Sequence, residues 1–348
     1  MNTTTTTGLD LAKSVFQVHG VDAASQVTTT RRLKRKDVMA FFAKLPPCLV
    51  GMEACGTAHY WARQLRSLGH TVKLMPPRYV KAYLKRGKTD AADAEAICEA
   101  VTRPRIKEVQ IKNVEQQCAL MRHRTRELLL TQRTRTTNAI RAHMAELGLI
   151  APIGHDGMRS LLAIVVDTAN TELPVVARLA LAPLAAVLAE IEASIGTLDA
   201  AIAAQHKGNE TSQRLAQVPC VGPLAASAFA ATVVNPKAFK SARAFASSLG
   251  LTPRLEGTGG KTTLGPITKQ GDRYLRRLLY LGAVAKLAHA RAKPAKADPW
   301  LIALLGRLPF KQAAIALANK TARIIWALLA HGRTYTANTR PFACAVPA

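Results

Sequence analysis

The chain has 348 residues, 49% of them hydrophobic, so it is long enough for two or three domains with cores of their own and is not disordered throughout. Its 48 Lys and Arg residues outnumber 22 Asp and Glu residues, which gives a formal net charge of +26. This charge indicates a polyanionic partner, with nucleic acid as the first candidate and an anionic membrane surface as the second.

Neither a membrane span nor a secretion signal is predicted. The longest uncharged run, residues 215–236, contains Pro219, Gly222 and Pro223, which leave an apolar helix too short to cross a bilayer. The N-terminus has neither the basic region nor the apolar stretch of a signal peptide. The six cysteines form no CxxC pair and are expected to be reduced thiols. We therefore expect a cytoplasmic protein.

The first 112 residues are expected to form an α/β sheet covered by helices. Three β-prone stretches (residues 4–10, 14–19 and 26–33) predict an antiparallel meander. Helices are then predicted at 36–45, 59–68, 78–84 and 91–102, with strands at 49–52 and 72–75. This order is typical of the RNase H fold, although periodicity by itself supports only a sheet with helices.

Acidic residues are scarce in this segment, and four of them stand at positions that favour a metal site. Asp10 ends the first strand, Glu53 follows the strand at 49–52, and Asp90 and Asp93 begin the helix at 91–102. Carboxylates brought together from strand ends and one helical face repel each other unless divalent cations neutralise them, and hard oxygen ligands suit Mg²⁺ or Mn²⁺. A structural explanation carries equal weight for the last two: Asp90 caps the helix and Asp93 favours its positive end.

The middle of the chain, residues 113–208, is predicted to be helical, and residues 150–210 are mildly acidic, with 3 basic and 7 acidic side chains. A long helix at 114–147 and a second at 173–206, the latter with a kink or break at Pro183, predict an antiparallel helical hairpin or coiled coil. Isolated charges on helices are usually solvated surface, but a dense run of arginines favours phosphate contact. The run comprises Arg122, Arg124, Arg126, Arg133, Arg135 and Arg141.

Residues 211–348 carry 20 basic and only 3 acidic side chains. Residues 218–223 resemble the turn of a helix-hairpin-helix element, in which backbone N–H groups hold a phosphate, although Cys220 stands where glycine is usual; a simple packing turn fits equally well. A loop at 257–260 contains three glycines around Thr258, where a hydroxyl would be exposed, although a plain hairpin is the commoner structure for such a sequence. A cationic helix follows the loop.

Together these motifs resemble one family along nearly the whole chain. GLDLAK, MEACGT, GKTDAADAEAICEAV, MRHRTRELLLTQRTRTTNAIRAHMAELGL and GLTPR…GGK…LGPITKQGDRYLRRLLY are similar, in order, to the DEDD transposases of insertion-sequence family 110, and specifically to subgroup 1111. The resemblance implies an RNase H-like (RuvC-like) DEDD domain at 1–112, a helical coiled-coil region at 113–208 and a mostly α-helical C-terminal transposase domain with a helix-hairpin-helix-like element at 209–348.

The resemblance also implies the chemistry. Asp10, Glu53, Asp90 and Asp93 would bind Mg²⁺ (or Mn²⁺), and a nucleophilic hydroxyl from another protomer would form a covalent protein–DNA intermediate, so that the protein acts as a dimer or tetramer. The nucleophile position is Thr258, where the family has serine. Thr258 keeps the hydroxyl but adds a β-methyl that crowds in-line attack. Three hypotheses follow: Thr258 serves as the nucleophile, Thr262 or Thr263 replaces it, or the copy is impaired.

An RNA-guided recombinase is the function we expect. The family's noncoding RNA pairs with target and donor DNA, and no membrane partner is expected. One alternative is a RuvC-like hydrolytic nuclease or junction resolvase, which needs only the carboxylates. Another is a catalytically impaired RNA- and DNA-binding protein. The candidate nucleic-acid-binding residues are Arg31, Arg32, Lys34, Arg35, Lys36, Lys85, Arg86, Lys88, Arg122, Arg124, Arg126, Arg133, Arg135, Lys261, Lys269, Arg273, Arg276 and Arg277.

Overall fold

The computed structural model describes residues 3–84 and 89–336 and divides the chain into two compact units, 1–115 and 116–348. The first unit is an α/β domain. Its strands are β1 (Thr6–Asp10), β2 (Val15–Val21), β3 (Val27–Lys34), β4 (Leu49–Glu53) and β5 (Thr71–Met75), and its helices are α1 (Val38–Ala43), α2 (Ala58–Ser67), α3 (Pro77–Val80) and α4 (Asp90–Val101).

The five strands form one mixed sheet in the order β3-β2-β1-β4-β5. The β1, β2 and β3 strands are antiparallel, whereas β4 pairs in parallel with both β1 and β5. The predicted meander followed by alternating helices and strands is confirmed. The predicted helix at 78–84 is shorter than expected, since it consists of α3 and a 3₁₀ turn over Lys81–Tyr83.

Each face of the sheet has its own apolar layer. Leu9, Val50 and Met52 point to the face covered by α1 and α2, where they pack with Phe42 and Trp61. The opposite face is covered by α4, whose buried residues pack with Leu49 and Met75. Because neighbouring residues of a strand alternate between faces, Gly8, Asp10, Gly51 and Glu53 belong to the α4 face.

Two glycines allow α4 to lie directly on the sheet. A Cβ on Gly8 would stand 2.1 Å from the carbonyl oxygen of Ala94, and a Cβ on Gly51 would stand 2.7 Å from the Cβ of Val101. Any side chain at either position would push the helix away. This close packing fixes the first turn of α4 beside the C-terminal ends of β1 and β4.

The second unit is mostly helical. Its helices are α5 (Val114–Ala145), α6 (His155–Val166), α7 (Val175–Lys207), α8 (Glu210–Ala216), α9 (Pro223–Thr232), α10 (Ala242–Ser248), α11 (Arg273–Ala292), α12 (Pro299–Arg307) and α13 (Phe310–His331), and a hairpin of β6 (Pro253–Thr258) and β7 (Lys261–Ile267) lies between α10 and α11. Its main core is built by helices α8 to α13. The three-part domain division stays a prediction, since one compact unit contains both the middle and C-terminal segments.

The helices α5 and α7 run antiparallel, as predicted. Arg122 donates to the Gln205 side chain and Arg126 pairs with Asp199, while near the far end Ile140 and Met144 share an apolar cluster with residues of α7. Two details differ from expectation. α7 is not broken at Pro183, which leaves the kink as the prediction there, and α6, which the sequence pattern did not reveal, packs on the same cluster.

The turn between α8 and α9 has the backbone geometry that its helix-hairpin-helix resemblance requires. Cys220 adopts a φ of +75°, the left-handed conformation for which glycine is usual. Gly282 of α11 packs against it, since a Cβ there would stand 2.0 Å from the Cys220 carbonyl oxygen. Phosphate binding at this turn stays a prediction.

Among the described residues, α13 is the one helix long and apolar enough to cross a membrane. Half of its most apolar stretch is buried, and side chains such as Ala318 and Ile325 form part of the C-terminal core. A core helix passes the same test of length and composition, so α13 is weak evidence for a membrane span.

Candidate active site

Three of the predicted carboxylates converge at one edge of the sheet. Oxygen atoms of Asp10, Asp90 and Asp93 all lie within 4.8 Å of one another, with Asp10 and Asp93 half-buried and Asp90 exposed. The local structure explains the convergence: Asp10 ends β1 on the α4 face, and the two aspartates stand one turn apart at the start of α4.

Asp90 does not cap its helix. The N-cap is Thr89, whose side chain accepts a hydrogen bond of 3.2 Å from the Ala92 N–H. The structural explanation for Asp90 as a capping residue is therefore wrong, and its carboxylate oxygens are available to a cation. Asp93 does lie in the first turn, where the helix dipole favours a negative charge.

Glu53 lies at the end of the neighbouring strand, outside the group of three. Leu9 of β1 is in register with Met52 of β4, so Asp10 and Glu53 follow at adjacent strand ends on the same face. The pKa of the Cys55 thiol is raised, first by burial and then by the negative charges of Glu53 and Asp10, so both carboxylates lie close to this thiol. Glu53 is thus a neighbour of the carboxylate group.

The arrangement fits a divalent cation. Three aspartates within 4.8 Å carry like charges that a hard cation would neutralise, and carboxylate oxygens are the ligands preferred by Mg²⁺ and Mn²⁺. Asp10, Asp90 and Asp93 would hold the ion, and Glu53 lies at the end of the neighbouring strand. Ions bound in such sites activate a nucleophile and stabilise the leaving oxygen of a phosphodiester.

Thr258 lies at the tip of the β6–β7 hairpin rather than in an irregular loop. It pairs with Lys261 across a two-residue turn of Gly259 and Gly260, which have φ of +57° and +79° as a tight hairpin turn requires. All six residues of β6 are exposed, so the Thr258 hydroxyl is accessible. Thr263, in contrast, donates its hydroxyl hydrogen to the Glu256 carbonyl at 3.1 Å.

The candidate nucleic-acid-binding residues fall into two groups. Five make contacts within the protein: Arg122 and Arg126 bind α7, Arg35 stacks on Phe16 and Trp61, Arg276 donates to the carbonyls of Leu249 and Gln270, and Arg277 pairs with Glu127. The rest of the described candidates show no such partner among residues 3–84 and 89–336: Arg31, Arg32, Lys34, Lys36, Arg124, Arg133, Arg135, Lys261, Lys269 and Arg273. Lys85, Arg86 and Lys88 lie outside the described residues.

Sequence reasoning missed three residues near the carboxylates. Thr89 holds the first turn of α4, Cys55 lies close to Glu53 and Asp10, and Gln17 pairs in register with Asp10. A threonine directly before the first residue of a predicted helix is a recognisable capping signal, and Thr89 could have been found by it. Cys55 and Gln17 have no such signal, because only the folded sheet brings them to the site.

A mixed sheet with RNase H-like strand order and acidic strand ends defines a domain for metal-dependent phosphodiester chemistry. Comparison with known proteins supports this class of domain. A family model described as a transposase, of the DEDD type of IS110, matches residues 7–148, and a model for transposases of the IS116/IS110/IS902 family matches residues 212–298. The two matches cover the sheet domain and much of the C-terminal core.

Full-length relatives make the assignment specific. The chain is 48% identical over 336 residues to a probable family 20 transposase of Pseudomonas aeruginosa, covering 94% of this chain and 97% of the relative. It is 38% identical to the transposase for insertion sequence element IS1111A of Coxiella burnetii (94% and 90% covered) and 34% identical to that for IS1328 of Yersinia enterocolitica (97% and 100% covered). The chain belongs to the IS110 family of transposases, and it is a DNA strand-transfer enzyme with a DEDD catalytic domain.

Proposed function

We propose that the protein is an RNA-guided DNA recombinase of subgroup 1111. It cleaves and exchanges DNA strands in a Mg²⁺-dependent reaction, guided by a noncoding RNA of its own element that pairs with target and donor DNA. It acts as a dimer or tetramer on DNA in the bacterial cytoplasm. The convergence of Asp10, Asp90 and Asp93 carries the proposal, because it supplies a cation site for phosphodiester chemistry.

The residues have separate roles in this reaction. Asp10, Asp90 and Asp93, with Glu53 beside them, would hold a divalent cation, which would polarise the scissile phosphate. The exposed Thr258 hydroxyl attacks phosphorus, its proton is lost to solvent, and the 3′ or 5′ oxygen of the broken strand leaves. A later attack by a DNA hydroxyl on the Thr258 phosphodiester frees the threonine and joins the strands. Each exchange conserves one phosphodiester bond.

Basic residues position the nucleic acids. The exposed arginines of α5 and β3 offer phosphate contacts that read no sequence, as expected when base pairing to an RNA supplies specificity. Subgroup 1111 is supported by the 38% identity to the IS1111A transposase. The guide RNA and the oligomer rest on the motif resemblance.

A search for a covalent adduct tests this function. The protein, its element's RNA, Mg²⁺ and labelled DNA are separated on a denaturing gel, with Thr258→Ser and Thr258→Ala as matched variants. We expect an adduct with threonine, more with serine and none with alanine. Free DNA ends without adduct would identify a hydrolase, and DNA binding without any cleavage would identify a binding protein; either result contradicts the proposal.

A further inference from the structure

The edge of the sheet that carries Asp10 continues across two more strands. Asp10 of β1 is in register with Gln17 of β2, and Gln17 is in register with Arg32 of β3. Residues directly opposite each other on neighbouring strands point to the same face. The row Asp10, Gln17, Arg32 therefore lies on the α4 face, with the carboxylates at one end and a guanidinium at the other.

The residues on the opposite face of β3 support the placement of Arg32 on the α4 face. Arg31 is in register with Val18, and Leu33 with Phe16. Val18, Phe16 and Leu33 are all buried in the core beneath α1 and α2. Arg31 and Arg32 are adjacent and both exposed, yet they belong to opposite faces of the sheet.

Arg32 is the first positive charge along the row. Gln17 between it and Asp10 is neutral and only 5% exposed, so it contributes no charge of its own. Strands are spaced about 4.8 Å apart, which places the Arg32 backbone about 10 Å from that of Asp10. A DNA strand advances about 3.4 Å per nucleotide along the helix axis, and successive phosphates are farther apart than this rise, so the distance corresponds to at most about three nucleotides.

We propose that Arg32 binds a backbone phosphate of the cleaved DNA strand, within about three nucleotides of the phosphate held at the carboxylates. This inference rests on the proposed function of the carboxylate group. Arg32 matches the chemistry of a phosphate because its guanidinium donates two parallel hydrogen bonds to phosphate oxygens. Lys34, two residues on and on the same face, extends the positive charge along that edge.

Neutral methylphosphonates in the DNA test this contact. The complete protein with its RNA is given DNA in which single phosphates, one to five nucleotides from the cleavage position, are replaced. For the unmodified protein we expect one position within three nucleotides at which replacement slows cleavage about tenfold. The Arg32→Ala variant should cleave unmodified DNA about tenfold more slowly than the unmodified protein does. A methylphosphonate at that position should not slow the variant further, because the two changes remove the same contact.

Arg31→Ala is the matched control, since it removes the same charge from the adjacent residue on the other face. Because Arg31 is itself a candidate phosphate contact, its loss can weaken overall binding, but the position at which methylphosphonate slows cleavage is expected to stay that of the unmodified protein. The proposal is overturned if Arg32→Ala stays as sensitive as the unmodified protein at every position, or if Arg31→Ala is the variant that loses the sensitivity. The same scan of binding affinity, with Ca²⁺ in place of Mg²⁺, gives a readout that requires no cleavage.

Asp10→Asn separates this inference from the proposed function. If Asp10→Asn cleaves DNA normally, the carboxylates are not the reaction centre and the proposed function fails. If Asp10→Asn is inactive while Arg32→Ala keeps the full methylphosphonate pattern, only the Arg32 contact fails. A pattern that appears on the guide RNA instead of the DNA would assign Arg32 to RNA binding and would also contradict the proposal.

Discussion

At the scale of single residues, the carboxylates of Asp10, Asp90 and Asp93 repel each other because their oxygens lie within 4.8 Å. This repulsion destabilises the protein in the absence of a cation, and a bound cation reverses the effect. The stability of the protein should therefore depend on divalent metal ions in a way that reports on this carboxylate group.

Asp93→Asn should change that dependence. Without metal the variant is expected to be as stable as the unmodified protein or more so, because relief of the repulsion from Asp10 and Asp90 offsets the loss of a favourable charge at the helix N-terminus, whereas Mn²⁺ should no longer raise its melting temperature. Thermal unfolding with EDTA and with Mn²⁺ measures both effects. Glu192→Gln, an exposed carboxylate on α7, serves as the control and should respond to Mn²⁺ like the unmodified protein. A normal Mn²⁺ response of Asp93→Asn would exclude it as a ligand.

The sequence allowed the carboxylates to be predicted but not the use of each arginine. Asp90 and Asp93 are one helical turn apart, so their proximity follows from local pattern, and Asp10 was expected beside them because it ends a strand of the sheet. Arg126 pairs with Asp199, which is 73 residues away. Such partners are determined by how the helices pack, and no local signal in the sequence distinguishes Arg126 from the exposed Arg124.

At the scale of elements, the contact between α4 and the sheet holds two of the carboxylates in place. Gly8→Ala would set a Cβ 2.1 Å from the Ala94 carbonyl oxygen and force α4 away from β1. We expect a loss of about 1–3 kcal/mol in unfolding free energy, measured by urea denaturation, and a weaker response to Mn²⁺. Gly196→Ala in α7 is the control.

Gly196 lies inside a helix, and a Cβ added to it would meet no other atom within 4 Å. Alanine there should raise the unfolding free energy by up to about 1 kcal/mol, because helix formation costs less for alanine than for glycine. Equal stability changes in the two variants, with an unaltered Mn²⁺ response for Gly8→Ala, would contradict the role assigned to this helix–sheet contact.

A buried histidine joins three helices of the second unit. The His123 ring on α5 lies 3.0 Å from the Tyr274 hydroxyl of α11 and 3.2 Å from the Ser227 hydroxyl of α9. Burial, with smaller contributions from Arg126 and Arg122, lowers the pKa of His123 to about 4. The neutral ring is therefore the form that the folded protein favours.

The stability of this unit should fall as the solution is acidified. The unfolded chain has a histidine pKa near 6.5 and binds a proton that the folded protein excludes, so stability is lost as pH falls from about 6.5 towards 4. His123→Gln should reduce the slope of unfolding free energy against pH in this window by up to about 1.4 kcal/mol per pH unit. Urea denaturation at several pH values measures this slope for the unmodified protein and for His123→Gln. If the two unfolding free energies change with pH in parallel, His123 does not titrate in this way.

Elements without core contacts were the hardest to predict. Leu255 and Leu264 pair across the β6–β7 hairpin, but they are 68% and 72% exposed, so no buried face gives the strands an alternating apolar pattern. The turn glycines alone indicate the hairpin. Of the kink or break expected at Pro183, the break is absent: α7 is continuous, and Leu181 and Leu188 on both sides of Pro183 pack in one apolar cluster.

At the scale of the whole molecule, the proposed reaction needs residues from both units of the chain. The carboxylates belong to the first unit and Thr258 to the second. The family resemblance implies a composite site, in which one protomer supplies the carboxylates and another supplies the hydroxyl. This arrangement predicts that two differently inactivated proteins can restore each other's activity.

Asp10→Asn and Thr258→Ala should each abolish covalent adduct formation when assayed alone. Mixed before assembly with RNA and DNA, they are expected to recover part of it, because the intact carboxylates of the Thr258→Ala protomer meet the intact hydroxyl of the Asp10→Asn protomer. The adduct must then contain the Asp10→Asn polypeptide, which a size tag on one of the two proteins identifies. An inactive mixture would mean that carboxylates and hydroxyl act within one protomer, while an adduct on the Thr258→Ala chain would exclude Thr258 as the nucleophile.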